Sequence, residues 1–355
     1  MLPFFNENFG NASSRTHAYG WKAEEAVNIA REQVAAFINA EESEIVFTSG
    51  ATEAINLAIK GVAEAYVSKG KHIVTVASEH KAVLDTCNYL GKKGFEITIL
   101  SVKQDGLVDL NELNSAIRSD TVLVCVMHAN NETGVIQPIR EIAGITHAKN
   151  TLLFTDATQA CGKVRVDVRE INVDLLCLSA HKIYGPKGAG ALFVRRKNPR
   201  VTVSPQIHGG GHEKNLRSGT LNVSGIAGFG KACELASSLL WEESARISLL
   251  RTKLEQGLTS TGRVSVNGNI KHRLPNTTNL CFHGRKADEL IKQLPGLAFA
   301  TGSACSSALP EPSHVLLSMG LNKDEAYSSI RFSFGRNSTE EEIELAIKFF
   351  SHLVN

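Results

Sequence analysis

No stretch of this 355-residue chain is apolar for long enough to cross a bilayer, and no charged-then-apolar leader opens it. The expected location is the cytoplasm, with no membrane role. Charge of one sign is lacking too: 38 Lys and Arg stand against 36 Asp and Glu, for a net +2. That balance gives no electrostatic footprint for nucleic acid. The seven cysteines contain no CxxC pair, which excludes thioredoxin-like and metal-finger patterns. Their odd number and irregular spacing argue against a disulfide framework. No Gly-x-Ser-x-Gly elbow accompanies His208-Gly209-Gly210-Gly211, so an esterase oxyanion loop is excluded. No histidine stands three residues after Glu213, so His212-Glu213 is not a zincin motif, and no metal is expected. The stretch reads instead as a tight backbone approach near a site. Internal repeats and low-complexity tracts are missing as well.

What remains is an ordinary soluble composition, 43% hydrophobic and 21% charged, with length for one large core and a smaller second one. Apolar runs at 45–47, 73–76, 97–100, 122–126, 152–154, 175–178 and 191–194 alternate with helical periodicity, as over 23–38, 53–66 and 82–91. Apolar strands that do not alternate, separated by helices, predict a mostly parallel α/β sheet of seven strands covered on both faces. The pattern changes near residue 237. A long helix over 237–258, strands at 278–282 and 330–333 and two further helices predict a smaller α+β unit. The expected domains are 1–237 and 238–355.

In such sheets ligands bind beyond the carboxyl ends of the strands, and the polar residues cluster there. Ser179-Ala180-His181-Lys182 follows Leu175–Leu178. A lysine where a buried strand meets a turn is a candidate amine nucleophile, and so a candidate anchor for pyridoxal phosphate. Asp156 ends the run from Leu152 and suits a protonated pyridine nitrogen; capping the next helix is the alternative. Ser49-Gly50-Ala51-Thr52 joins a strand to a helix N-terminus, which makes a phosphate seat or a plain cap. His80 ends the run from Ile73 and is placed to lie over a flat ring. Asn130-Asn131-Glu132 ends another strand and offers amide donors. Arg331, between Ile330 and Phe332, needs a carboxylate partner, from a substrate or from the protein. Cys125, Cys177 and Cys281 fall in apolar runs and read as inert core. Cys305 lies in Thr301–Ala308, small residues with no packing anchor, which is the composition of a solvent-reachable loop.

Taken in order, these residues resemble the NifS/IscS-type cysteine desulfurases, within the class-V aminotransferases of pyridoxal phosphate fold type I. The resemblance runs from Phe9-Gly10-Asn11 and Thr48–Glu53 through Ser78-Glu79-His80, Asn130–Glu132, Asp156 with Gln159, and Ser179–Gly188. It continues in His208–Glu213, Arg217–Thr220, Gly302–Cys305 and Ser329–Ser333. It implies that Lys182 anchors the cofactor and moves the substrate Cα proton. Asp156 pairs with the pyridinium, Gln159 with the phenolic oxygen, and His80 stacks on the ring and acts in acid–base steps. Ala51, Thr52, Ser179 and His181 cradle the phosphate, with Thr220 entering from the second subunit of a homodimer. Asn131 and Arg331 orient the carboxylate of L-cysteine. Cys305 takes the sulfur as a persulfide, leaving alanine, and passes it to an iron–sulfur scaffold or another acceptor protein. The Gly-Ser-Ala-Cys spelling points to the IscS-like group.

The resemblance also implies a strand and an Asn-Ala-Thr-Thr-like turn ahead of Leu2, and a longer tail than the one ending at Asn355. Their absence from this sequence is the ground for one alternative, an incomplete paralogue that binds without turnover. Another pyridoxal phosphate reaction, an aminotransferase or selenocysteine lyase, is the other.

Overall fold

The computed structural model describes residues 1–301 and 311–354. Seven strands form the large sheet: β1 Ile45–Thr48, β2 His72–Val76, β3 Glu96–Leu100, β4 Thr121–Cys125, β5 Leu152–Asp156, β6 Leu175–Ser179 and β7 Gly190–Val194. Their order is β1-β7-β6-β5-β4-β2-β3. β7 runs antiparallel to both neighbours, and the other pairs are parallel. The expected mostly parallel sheet is therefore present. Six strands end on one edge, and β7 begins there.

The apolar runs become strands because both faces are covered. Every residue of β1, β2, β4, β5, β6 and β7 is buried. β3, at one of the sheet's two edges, differs: Glu96 and Ile99 are exposed on it. Helices Ala51–Ala65 and Lys81–Gly91 close one face through Ile55, Ile59 and Val83. Ala18–Phe37, Ile139–Ala148 and the first half of Val223–Thr259 close the other.

That last helix departs from expectation by beginning at Val223 rather than Ser237. Glycines and small residues between 223 and 236 weaken its helical signal. Packing requires them: a Cβ on Gly230 would stand 2.6 Å from Ala30 Cα in the facing helix. Asn222 caps it by accepting the Gly225 N–H at 3.1 Å. The division expected at 237/238 falls inside this helix. We propose the helix as a spine shared by two units, since Phe229 and Cys233 belong to the large core, and Leu250, Leu254 and Leu258 to the second.

The second core lies against an antiparallel sheet, β10-β9-β8, with β8 Val264–Asn267, β9 Thr277–Phe282 and β10 Ser329–Ser333. Phe282, Phe332 and Phe350 meet there with ring centroids 5.1–6.4 Å apart. The sequence pattern had not shown β8, and the helices here are Ala287–Gln293, His314–Ser318, Lys323–Tyr327 and Glu340–Val354 rather than two.

Candidate active site

The sheet edge assembles the strand-end residues. Thr48 lies opposite Gly190 on β7, and Gly190 opposite Ser179 on β6. β1 leads through Gly50, at φ +154°, into the Ala51–Ala65 helix. No side chain caps Gly50, so the helix presents its first-turn N–H groups and positive dipole end to whatever lies there. Ala51 is half-buried and Thr52 exposed. A Cβ on Gly50 would lie 3.7 Å from Ser179 Oγ, and one on Gly190 only 2.7 Å from Gly50 Cα. Glycine at 190 is what lets β7 and the Gly50 turn approach so closely. Ser179, 3% exposed, shares a 2.9 Å hydrogen bond with His181 Nδ1. Burial, with Lys182 and Lys187 nearby, lowers the His181 pKa.

Lys182 sits in the short turn Ala180–Ile183 that follows β6. The sequence placed it in a buried setting, but in the single chain its side chain is exposed. The strand is buried to Ser179; the tight turn then carries the lysine out at the edge.

Asp156 closes β5 and is 5% exposed. Its Oδ1 accepts the Thr158 N–H at 2.9 Å and the Cys177 thiol at 3.3 Å. Its Oδ2 has no hydrogen-bond partner among the described residues, which leaves a lone pair for a protonated ring nitrogen. Burial first, then Asp156, pushes the Cys177 thiol well up, which keeps it inert as expected. Gln159 is half-buried in the turn just beyond.

After β4, Asn130 organises a turn. Its Oδ1 accepts the N–H groups of Glu132 and Thr133, and its Nδ2 donates to Ser78 O at 2.9 Å. Arg331 on β10 donates from Nη1 to the Asn131 carbonyl at 3.1 Å, while its buried Nε has no partner. Among the described residues it forms no salt bridge. The structural-carboxylate alternative for Arg331 is therefore not realised there, and it can take an incoming carboxylate. His80 caps the Lys81–Gly91 helix, its Nδ1 accepting the Ala82 N–H at 3.1 Å. In the neutral ring the proton then sits on Nε2. His80 and Asn131 line one cleft of about 930 Å³.

The 208–220 segment is fixed by two anchors the sequence did not reveal. Glu213, 7% exposed, takes Arg31 through both oxygens at 2.6 and 2.9 Å, and the Phe47 N–H at 2.7 Å. Arg217 Nε pairs with Glu53 in the Ala51–Ala65 helix at 2.7 Å. Although burial alone would raise it, Arg217 and Ser49 hold the Glu53 carboxyl below its ordinary range. Thr220, just beyond, is exposed.

Two further buried groups stand behind the edge. Glu79 accepts the Met127 N–H at 2.5 Å, and its Oε2 is unpartnered; burial, then Asp156 and Cys87, push its pKa well up. His128 is 6% exposed with Nδ1 unpartnered, and burial pushes it down to about 4. Glu79 had a signal in its position between Ser78 and His80; His128 had none. Cys305 lies outside the described residues. The other six cysteines are free and buried.

The aminotransferase class-V family matches residues 1–345. The chain is 53% identical over 349 residues to cysteine desulfurase IscS of Anaeromyxobacter sp. (strain Fw109-5), covering 98% of this chain and 86% of that protein. It is 52% identical over 346 residues to cysteine desulfurase IscS of Neisseria meningitidis serogroup A, covering 98% and 85%. A solved NifS-like protein superposes with a TM-score of 0.92 at 38% identity, over 99% of this chain and 93% of that one. The structure of SspA in complex with cysteine gives 0.82 at 37%, over 94% and 92%. The chain belongs to the class-V aminotransferase family and, within it, to the NifS/IscS-type cysteine desulfurases.

Proposed function

We propose that this protein is a pyridoxal phosphate-dependent cysteine desulfurase of the cytoplasm. The observation that carries the reading is one sheet edge joining a helix N-terminus at Gly50, Ser179 with His181, the Asp156 carboxylate, whose Oδ2 has no hydrogen-bond partner among the described residues, and Lys182. These residues fit the cofactor: a helix N-terminus with no side-chain cap stands at Gly50 for a phosphate, and a buried carboxylate for a ring nitrogen. When bound, the cofactor supplies an electron sink for charge developing at the substrate Cα.

The chain's own groups do the rest. The N–H groups of Ala51 and Thr52, with Ser179, His181 and Thr220 of the partner subunit, hold the phosphate. Thr220 is exposed, as a residue reaching into a second copy of the chain must be. Asp156 would keep the ring nitrogen of the bound cofactor protonated, and Gln159 and His80 would help hold its ring. Arg331 and Asn131 bind and orient the cysteine carboxylate. The Lys182 amine anchors the cofactor and carries the Cα proton. Cys305 attacks the substrate sulfur: an S–S bond forms, the Cβ–S bond breaks and, after protonation at Cβ, alanine leaves. The persulfide on Cys305 is then available to an iron–sulfur scaffold or another thiolation acceptor.

Product analysis with L-cysteine tests this. Alanine equal to the sulfur transferred is expected. A 2-oxo acid would indicate an aminotransferase. Cofactor-loaded protein that is inert toward cysteine would indicate a binding role without turnover.

A further inference from the structure

A second cavity, of about 480 Å³, lies where the turn at 163–165, the middle of the Val223–Thr259 helix and the 270–275 segment meet. It shares no residue with the sheet edge. Lys163, Arg165, Arg251, Lys271 and Arg273 line it, and none of its lining residues is acidic. Neighbouring carboxylates are already shared. Glu255 takes Arg273 through Oε2 and only faces Arg251 Nε, with Oε1 at 3.6 Å, Asp167 takes Arg165 at 3.0 Å, and Glu243 is held by Arg336.

The guanidinium groups are under-satisfied. The Arg273 side chain is 7% exposed and that of Arg251 12%. The Nε atoms of both, and Nη1 of Arg273, are buried with no hydrogen-bond partner. Arg251 is tied through Nη1 to the Leu274 carbonyl and faces Glu255 through Nε, so two guanidinium groups share one carboxylate and the cluster keeps a cationic excess. Guanidinium forks in cationic excess take oxyanions, carboxylate or phosphate, bidentately. The rim decides between a free anion and a polypeptide. Trp241 is 71% exposed and Ile270 65%, beside Pro275. An inorganic anion gains nothing from that apolar surface, whereas an acidic segment carrying apolar side chains gains from both parts.

We propose that this cavity and its rim dock an acidic segment of a protein partner. Its carboxylates enter among Arg251, Lys271 and Arg273, and an apolar side chain lies on Trp241 and Ile270. None of these residues has a part in the proposed chemistry, so docking and turnover are separable.

The test uses the full-length holoprotein with Trp21→Phe, which leaves Trp241 as the reporter tryptophan. The probes are a synthetic peptide of Glu, Asp and Leu, its Gln/Asn counterpart, and inorganic phosphate. The acidic peptide should shift Trp241 emission and bind less tightly as salt rises from about 50 to about 500 mM. Arg165→Glu with Lys271→Glu, both at exposed positions, should weaken binding about tenfold or more. Cysteine turnover should stay unchanged in that variant. The proposal is overturned if the Gln/Asn peptide binds equally well, if the charge reversal has no effect, or if phosphate binds and the acidic peptide does not.

Discussion

Arg331 on β10 donates to the main-chain carbonyl of Asn131 at the end of β4, at 3.1 Å. One hydrogen bond thus joins the small sheet to the large one at the place where a substrate carboxylate is proposed to sit. The arginine is held in place, yet its Nε has no partner among the described residues.

Arg331→Lys keeps the charge and loses the fork. A charge-assisted hydrogen bond contributes about 1.5–3 kcal/mol, so kcat/KM for cysteine should fall about 10–150-fold, mostly through KM. Cofactor absorbance should be retained. An unchanged KM would remove Arg331 from carboxylate binding.

Glu213 is the anchor of the 208–220 segment. Glu213→Ala leaves Arg31 and the Phe47 N–H buried without their acceptor. Breaking a buried pair costs about 3–5 kcal/mol, which urea unfolding should read as a large drop in midpoint. Glu213→Gln should lose less, because it keeps an acceptor oxygen. Equal stability of Glu213→Ala and wild type would contradict the anchoring role.

Gly190→Ala should injure cofactor retention before it injures the fold. The new Cβ meets Gly50 Cα at 2.7 Å and Leu178 O at 2.8 Å, so β7 and the Gly50 turn must part. Overpacking of this kind costs about 1–3 kcal/mol. A purified variant should show a lower ratio of visible cofactor absorbance to protein; a wild-type ratio would mean that the turn gives way freely.

His128 sets part of the acid limb of stability. Burial lowers its folded pKa to about 4, whereas an unfolded histidine titrates near 6.5. Between those values the unfolded chain binds more protons. The contribution is therefore complete above about 6.5 and lost as pH falls toward about 4, a change of about 3 kcal/mol. Glu79 has the opposite sign: its folded pKa is raised, so its contribution is present at low pH and lost as pH rises. In His128→Gln the decline in urea midpoint between about pH 7 and pH 4.5 should shrink, with the Glu79 slope left in place. Equal declines in variant and wild type would rule the histidine out.

The large-sheet strands were legible as apolar runs, buried in all but the edge strand β3, and the edge was legible because its chemistry follows each run within a few residues. The reversal of β7 was not read, although its signal was present: the link from Ala180 to Ala189 is shorter than the dozen or so residues a parallel crossover needs. The helix from Val223 was hidden because close helix packing selects glycine, which local propensity reads as a breaker. Glu213 and Arg31 could not be paired from sequence, since nothing local joins residues so far apart in the chain. The exposure of Lys182 follows from the turn geometry after β6, to which a buried strand pattern is blind.

In the proposed reaction Cys305 receives the sulfur. Holoprotein mixed with L-cysteine in a single turnover, then digested for mass spectrometry, tests it most directly. The peptide containing Cys305 should gain one sulfur atom as one alanine forms per chain, and Cys305→Ser should keep its cofactor absorbance while forming neither persulfide nor released sulfide. Alanine and sulfide produced by Cys305→Ser at the wild-type rate would contradict the account.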